Sequence, residues 1–222
     1  MQKRLFIHNG IILALTSLII RSMGMVFRIF LNGTIGAEGI GLYQLVLSVY
    51  MIFVLVSSSG ISLCTTRLYA DNAAVGKFGK ARWCTERIML LSFLSGLVLS
   101  CTLYFSAEPI ADFLLNDSRA APALKILSPS LPFLAVSACV RGYFLARRKT
   151  LPTSGEQLLE QILEIGIFLS LFSLYRPHDL TEACCMTVIG TTAAEVLSFV
   201  YSLICYHYDK KKLSYPSEKT EG

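Results

Sequence analysis

Charge is scarce in these 222 residues. Asp, Glu, Lys and Arg make up only 16%, against 54% hydrophobic residues and a mean hydropathy of +0.58. Soluble domains carry roughly a quarter charged residues, so the scarcity excludes that class and points to a chain that crosses a membrane several times. Histidine is scarcer still: His8, His178 and His207 are scattered, and no C-x-x-C pair occurs. The usual ligand spacings of zinc and redox sites are therefore missing. The seven cysteines lie in or beside apolar stretches and read as small apolar helix residues. Even the vicinal Cys184–Cys185 pair would make a strained disulfide. Walker-type glycine loops, G-x-S-x-G and H-E-x-x-H are all absent, and the short polar connections leave no room for a catalytic domain. An enzyme is not expected, nor a metal or cofactor. The net charge of +5 is divided unevenly among loops, which excludes a nucleic-acid-binding face.

Long apolar runs are what the sequence does contain. They predict an all-α polytopic bundle of six spans, at about 5–31, 41–66, 86–106, 123–146, 157–175 and 183–206. Residues 1–207 form one transmembrane unit in this reading, and 208–222 a polar cytoplasmic tail. The Gly-rich stretch NGTIGAEGIG is expected to loop between the first two spans, and 108–122 to loop before the fourth, with or without a short interfacial helix. Pro129 and Pro132 are expected to break the start of span four, each removing a backbone donor. The small-residue runs Ser57–Gly60 and Ser92, Ser95, Gly96 would let helices approach closely. The N-terminus has the basic flank of a signal peptide, but its apolar run is too long and lacks a small-x-small cleavage site. It reads as an uncleaved first span.

Lys and Arg are divided unevenly among the connections. One set holds Lys3, Arg4; Arg67, Lys77, Lys80, Arg82, Arg87; Arg147, Arg148, Lys149; and Lys210, Lys211, Lys212, Lys219. The opposite set holds only Arg119, Lys125 and Arg176. The positive-inside rule then puts both termini in the cytoplasm, at the cell membrane.

Three arginines remain inside spans, and these are the candidate site. Arg21 and Arg28 stand seven residues apart, two helical turns, so they share a face of span one, with Arg28 nearer the outer surface, where snorkelling competes with a cavity role. A charge at bilayer depth costs roughly 2.5–3.5 kcal/mol on insertion scales, so it faces a partner, a protein interior or a water-filled cavity. Arg141 lies six residues before Arg147, where snorkelling to the interface competes with a cavity role. On the acidic side Glu156, Glu160 and Glu164 recur every fourth residue, with Glu156 expected at the interface and Glu164 about 10 Å deeper. Glu195 falls near the middle of span six. It either neutralises Arg21 across the bundle or takes up a proton or cation that couples transport.

Several stretches resemble a known family. Arg21-x-x-Gly24-x-x-x-Arg28, followed by Ile35–Gln44 (IGAEGIGLYQ), resembles the start of polysaccharide-type flippases in the multidrug/oligosaccharidyl-lipid/polysaccharide exporter superfamily. Within it, the chain is most similar to the stage V sporulation protein B group. Leu124–Pro129 (LKILSP), Val140–Phe144 (VRGYF) and Glu160-Gln161 resemble the same group's fourth and fifth helices. The resemblance implies one six-helix lobe of a two-lobe transporter that moves lipid-linked sugars, including peptidoglycan precursors, across the cytoplasmic membrane. It implies a cationic cavity facing a pyrophosphate, a role that falls here to Arg21 and Arg28, with Arg141 beside them. Guanidinium suits that role because its fork of donors matches phosphate oxygens. The partners it implies are lipid-linked sugar, membrane lipids, and a second lobe or a second copy of the chain. Glu164 and Glu195 remain coupling or charge-balancing candidates. The alternatives are a cation-coupled multidrug exporter and a non-transporting membrane scaffold or remnant half.

Overall fold

The structure is a computed structural model that describes residues 2–175 and 179–212, with side chains from Ala14 onward. The side chains of Lys3 and Arg4, together with Arg176 and the tail from residue 213 that includes Lys219, lie outside the described residues. Among those described, every regular element is helical: α1 (Gln2–Ala74), α2 (Phe78–Pro109), α3 (Ala121–Leu127), α4 (Leu131–Ala146), α5 (Leu151–Leu174) and α6 (Leu180–Lys212). A π-helical turn at Ile110–Leu114 and a 3₁₀ turn at Ser118–Ala120 occupy the connection between α2 and α3.

The described residues form five helical stretches long and apolar enough to cross a membrane, rather than the six expected. The difference lies in α1. Its 73 residues run through the region expected to be a loop, and only Gly36 leaves helical geometry, at φ 75° and ψ 172°. That left-handed, extended combination is open to glycine at no steric cost. A straight helix of that length would reach about 110 Å, several times the roughly 30 Å hydrocarbon core of a bilayer. The kink at Gly36 therefore divides α1 into two helical halves.

The expected break before α4 is present. A 3₁₀ turn at Ser128–Ser130 holds Pro129, and Pro132 sits in the first turn of α4, where its missing donor leaves no helical bond unmade. α3 and α4 together form the middle of the bundle, packed against α1, α2 and α6. Small residues make this possible. A Cβ on Gly142 would lie 2.5 Å from the Ser62 carbonyl oxygen, and one on Gly96 would lie 2.6 Å from Pro132 Cα. Gly60, from the other small-residue run, has nothing within 4 Å and faces outward. Leu42, Val46 and Tyr50 of α1 interlock with Leu124, Leu127 and Leu131 in the main core. A second cluster joins Tyr69, Tyr143, Phe144 and Tyr206 at one end. α5 lies outside this arrangement: it packs along α6 and against α1, and barely touches α4.

Polar ties hold the two ends of the bundle. At one end Asp209 of α6 accepts from Arg147, from Lys149 at 2.5 Å and from the Tyr143 hydroxyl at 3.0 Å, while Lys210 pairs with Glu86. At the other, Arg119 bridges Asp117 and Glu38, and Lys125 meets Glu108. Arg147, Lys149 and Lys210 of the basic set thus gather at one end, and Arg119 and Lys125 of the other set at the opposite one.

Candidate functional site

Because α5 stands away from α4, a cavity opens between the two halves of α1 and α4, α5 and α6. It measures about 540 Å³. Of the seven charged residues singled out in the sequence, Arg21, Arg141, Glu160, Glu164 and Glu195 line it, joined by Ser17, Tyr50, Gln157 and Gln161. Arg28 does not line it. Two turns along α1 is about 10 Å, and there the helix packs through Phe27 and Leu31 onto Phe168 of α5, closing the space. Arg28 is exposed beyond that contact, within electrostatic reach of Glu164. Gly24, one turn from Arg21, lets α1 approach α5, where a Cβ would come 3.5 Å from Gln161 Oε1.

Each charge in the cavity has a distinct setting. Glu195 is buried, and its carboxylate accepts from the Tyr50 hydroxyl at 2.8 and 3.0 Å. The Tyr50 oxygen lies 2.5 Å from that of Ser130, whose hydroxyl in turn reaches the Leu127 carbonyl at the broken turn. The buried carboxylate is thus bonded to the interruption between α3 and α4. Among the described residues no direct ion pair joins Glu195 to Arg21. Glu164 accepts from Thr191 of α6 at 3.0 Å and from Gln161 at 3.2 Å.

Arg141 does not snorkel to the end of the bundle. Its Nη1 lies 3.2 Å from Glu156 Oε1, and Ser202 donates to the other carboxylate oxygen at 3.3 Å. Glu156, expected at the interface, is instead buried. Burying a carboxylate is tolerated here because a guanidinium and a hydroxyl meet it. Arg21 and Glu160 differ from the others: both line the cavity, and neither has an ion pair or side-chain hydrogen bond among the described residues.

The acidic stripe Glu156, Glu160 and Glu164 does not face one way: Glu156 is buried away from the cavity, and Glu160 and Glu164 line it. Steps of four residues advance about 40° beyond a full turn each, so Glu156 and Glu164 point about 80° apart. The true cavity face is Gln157, Glu160, Gln161 and Glu164, an i, i+3, i+4, i+7 pattern visible in the sequence. Tyr50 had no such signal, because an aromatic residue in an apolar span reads as core. A second groove of about 750 Å³ lies between α1 and α2, lined by Val56, Gly60, Cys64, Leu91 and Ser95 among others, and holds no charged residue.

Comparison with known proteins identifies relatives along nearly the whole chain. The profile of the polysaccharide biosynthesis protein family matches residues 6–220. Among curated proteins, the chain is 25% identical to stage V sporulation protein B of Bacillus subtilis (strain 168) over 210 residues, 95% of this chain and 40% of that protein. It is 30% identical to the uncharacterized membrane protein YabM of the same organism over 172 residues, 76% of this chain and 31% of that protein. Lipid II flippase MurJ, also from that organism, is 25% identical over 172 residues, 74% of this chain and 32% of its own length. The chain thus spans 31% to 40% of the lengths of these relatives. No solved structure matches it.

Proposed function

The chain belongs to the polysaccharide biosynthesis protein family, and on that footing we propose that it works as one lobe of a flippase for lipid-linked oligosaccharides or peptidoglycan precursors. It is a multi-pass all-α membrane protein, and its family and its flippase relative support a membrane transport role rather than an enzymatic one. Residues 1–207 would make up the lobe and 208–222 a polar cytoplasmic tail. Both termini would be cytoplasmic, with the basic end formed by Arg147, Lys149 and Lys210 facing the cytoplasm. A second lobe, or a second copy of the chain, would close the open side of the cavity.

One observation carries this reading. Arg21 lines the cavity from within a helical stretch long and apolar enough to cross a membrane, with no ion pair among the described residues. An unpaired guanidinium at such depth is costly unless water or an anionic group meets it, and a diphosphate would fill that role. Arg141 would serve the same group only in part, because Glu156 already occupies one of its edges. Arg28, beyond the cavity, would meet the headgroup at another stage of its passage. The test is precursor translocation in cells that express the chain with a complementary lobe. Arg21→Ala should lower the rate by about tenfold or more, the loss of one charge-assisted bond of roughly 1.4 kcal/mol, and an unchanged rate would remove the arginine from the path.

A second reading rests on the carboxylates. Three of them, Glu160, Glu164 and Glu195, line the cavity, which favours a cation-coupled exporter. Robust drug efflux that depends on Na⁺ or H⁺ and is lost in Glu195→Gln would establish that reading over the first.

A further inference from the structure

The cavity carries charges of both signs, more carboxylates than guanidiniums, and this bears on what the substrate must carry. Most of these charges are already engaged. Glu195 holds Tyr50, Glu164 holds Thr191 and Gln161, and Arg141 is committed to Glu156. Two groups remain without a hydrogen bond or ion pair among the described residues. They are Arg21 on α1, and Glu160 on the facing wall formed by α5. They line one cavity yet do not pair with each other.

A ligand whose only charge is a diphosphate would satisfy Arg21 and be repelled by Glu160. Juxtaposed like charges are a strong device against the wrong ligand. We propose that the cavity selects a lipid-linked saccharide bearing a protonated amine as well as its diphosphate, with Arg21 taking the phosphate oxygens and Glu160 the ammonium. An ammonium is a compact cation with three donors, suited to a carboxylate that lacks partners. Gln157, Gln161 and Ser17 line the same space and supply the neutral donors and acceptors that sugar hydroxyls need. A cavity of about 540 Å³ has the size of a typical small-ligand site. This assignment rests on the flippase reading above and adds the amine to it.

The test uses the purified full chain in detergent and two probes. One is a farnesyl diphosphate-linked sugar bearing an aminoethyl group, protonated at neutral pH as an alkyl amine. The other is the same compound with that amine acetylated. Calorimetric titration should show the amine probe binding about tenfold more tightly, and Glu160→Gln should abolish the difference. Arg21→Ala should weaken both probes alike. Equal affinity for the two probes would overturn the amine assignment while leaving the diphosphate reading intact, and so would a preference that survives Glu160→Gln. Failure of the chain to bind either probe, or binding indifferent to Arg21→Ala, would overturn both. If Glu160→Gln does not fold, Glu160→Ala takes its place in the comparison, and equal affinity of the two probes for the unaltered chain still overturns the amine assignment.

Discussion

The segment from Ser118 to Ala146, which contains α3 and α4, and the neighbouring α5 are similar in hydropathy, yet they sit in the bundle very differently. Within their most apolar windows, 72% of the first is buried inside the protein and only 6% of α5 is. The buried segment achieves this with small residues and backbone contacts, as at Gly142 against Ser62. α5 instead offers one face to a cavity, others to α6 and α1, and the rest to its surroundings. Apolar composition therefore says that a helix belongs in a membrane, whereas side-chain size and polar spacing decide whether it becomes scaffold or cavity wall.

Substitutions at the border between scaffold and wall should have the largest effect on stability. Arg141→Ala would leave the Glu156 carboxylate buried without its cation, a change of about 3 kcal/mol. Thermal unfolding in detergent should show the drop, and adding Glu156→Gln should restore most of it, since the two residues form one coupled pair. Next comes the packed side. Gly142→Leu must displace the Ser62 backbone and should cost about 1–3 kcal/mol by overpacking. The same melting curves would show it, and no loss there would undo the contrast with α5. On the cavity wall the order reverses between stability and function. Arg21→Ala and Glu164→Gln should each change stability by no more than about 0.5 kcal/mol, while Arg21→Ala still impairs translocation. A smaller effect is expected in the connection at the far end, where a hydrogen bond from Arg119 holds the Asp117 carboxyl below its ordinary 3.8. A carboxylate with a lowered value contributes stability above the unfolded value and loses it as pH falls through the folded one. Melting temperature should therefore fall slightly more steeply below about pH 3.8 in the unaltered chain than in Arg119→Ala.

Much of this was legible from the residues. Apolar length and scarce charge announced a polytopic helical membrane protein, and the prolines marked the break before α4. Intramembrane charge pointed to Arg21, Arg141, Glu164 and Glu195, all of which line one cavity. The count of six continuous spans was not recovered, because a glycine-rich stretch can remain helical on both sides of one residue with positive φ. Glu156 was assigned by depth alone, although its direction around the helix is what turns it toward Arg141. Arg28 shares a face with Arg21, but the Phe27–Phe168 contact between them and α5 depends on tertiary packing that spacing does not encode. Tyr50 and Ser130 looked like ordinary core and turn residues until Glu195 was found against them.

Photo-crosslinking of a polyprenyl diphosphate that carries a photoactivatable headgroup, followed by mapping of the labelled residues, tests the central claim most directly. The expected labels fall in the cavity wall, at Ser17–Arg21, Tyr50–Val54 and Gln157–Glu164, and decline in Arg21→Ala. Labels confined to the uncharged groove between α1 and α2, around Gly60, Leu91 and Ser95, and indifferent to Arg21→Ala, would contradict it.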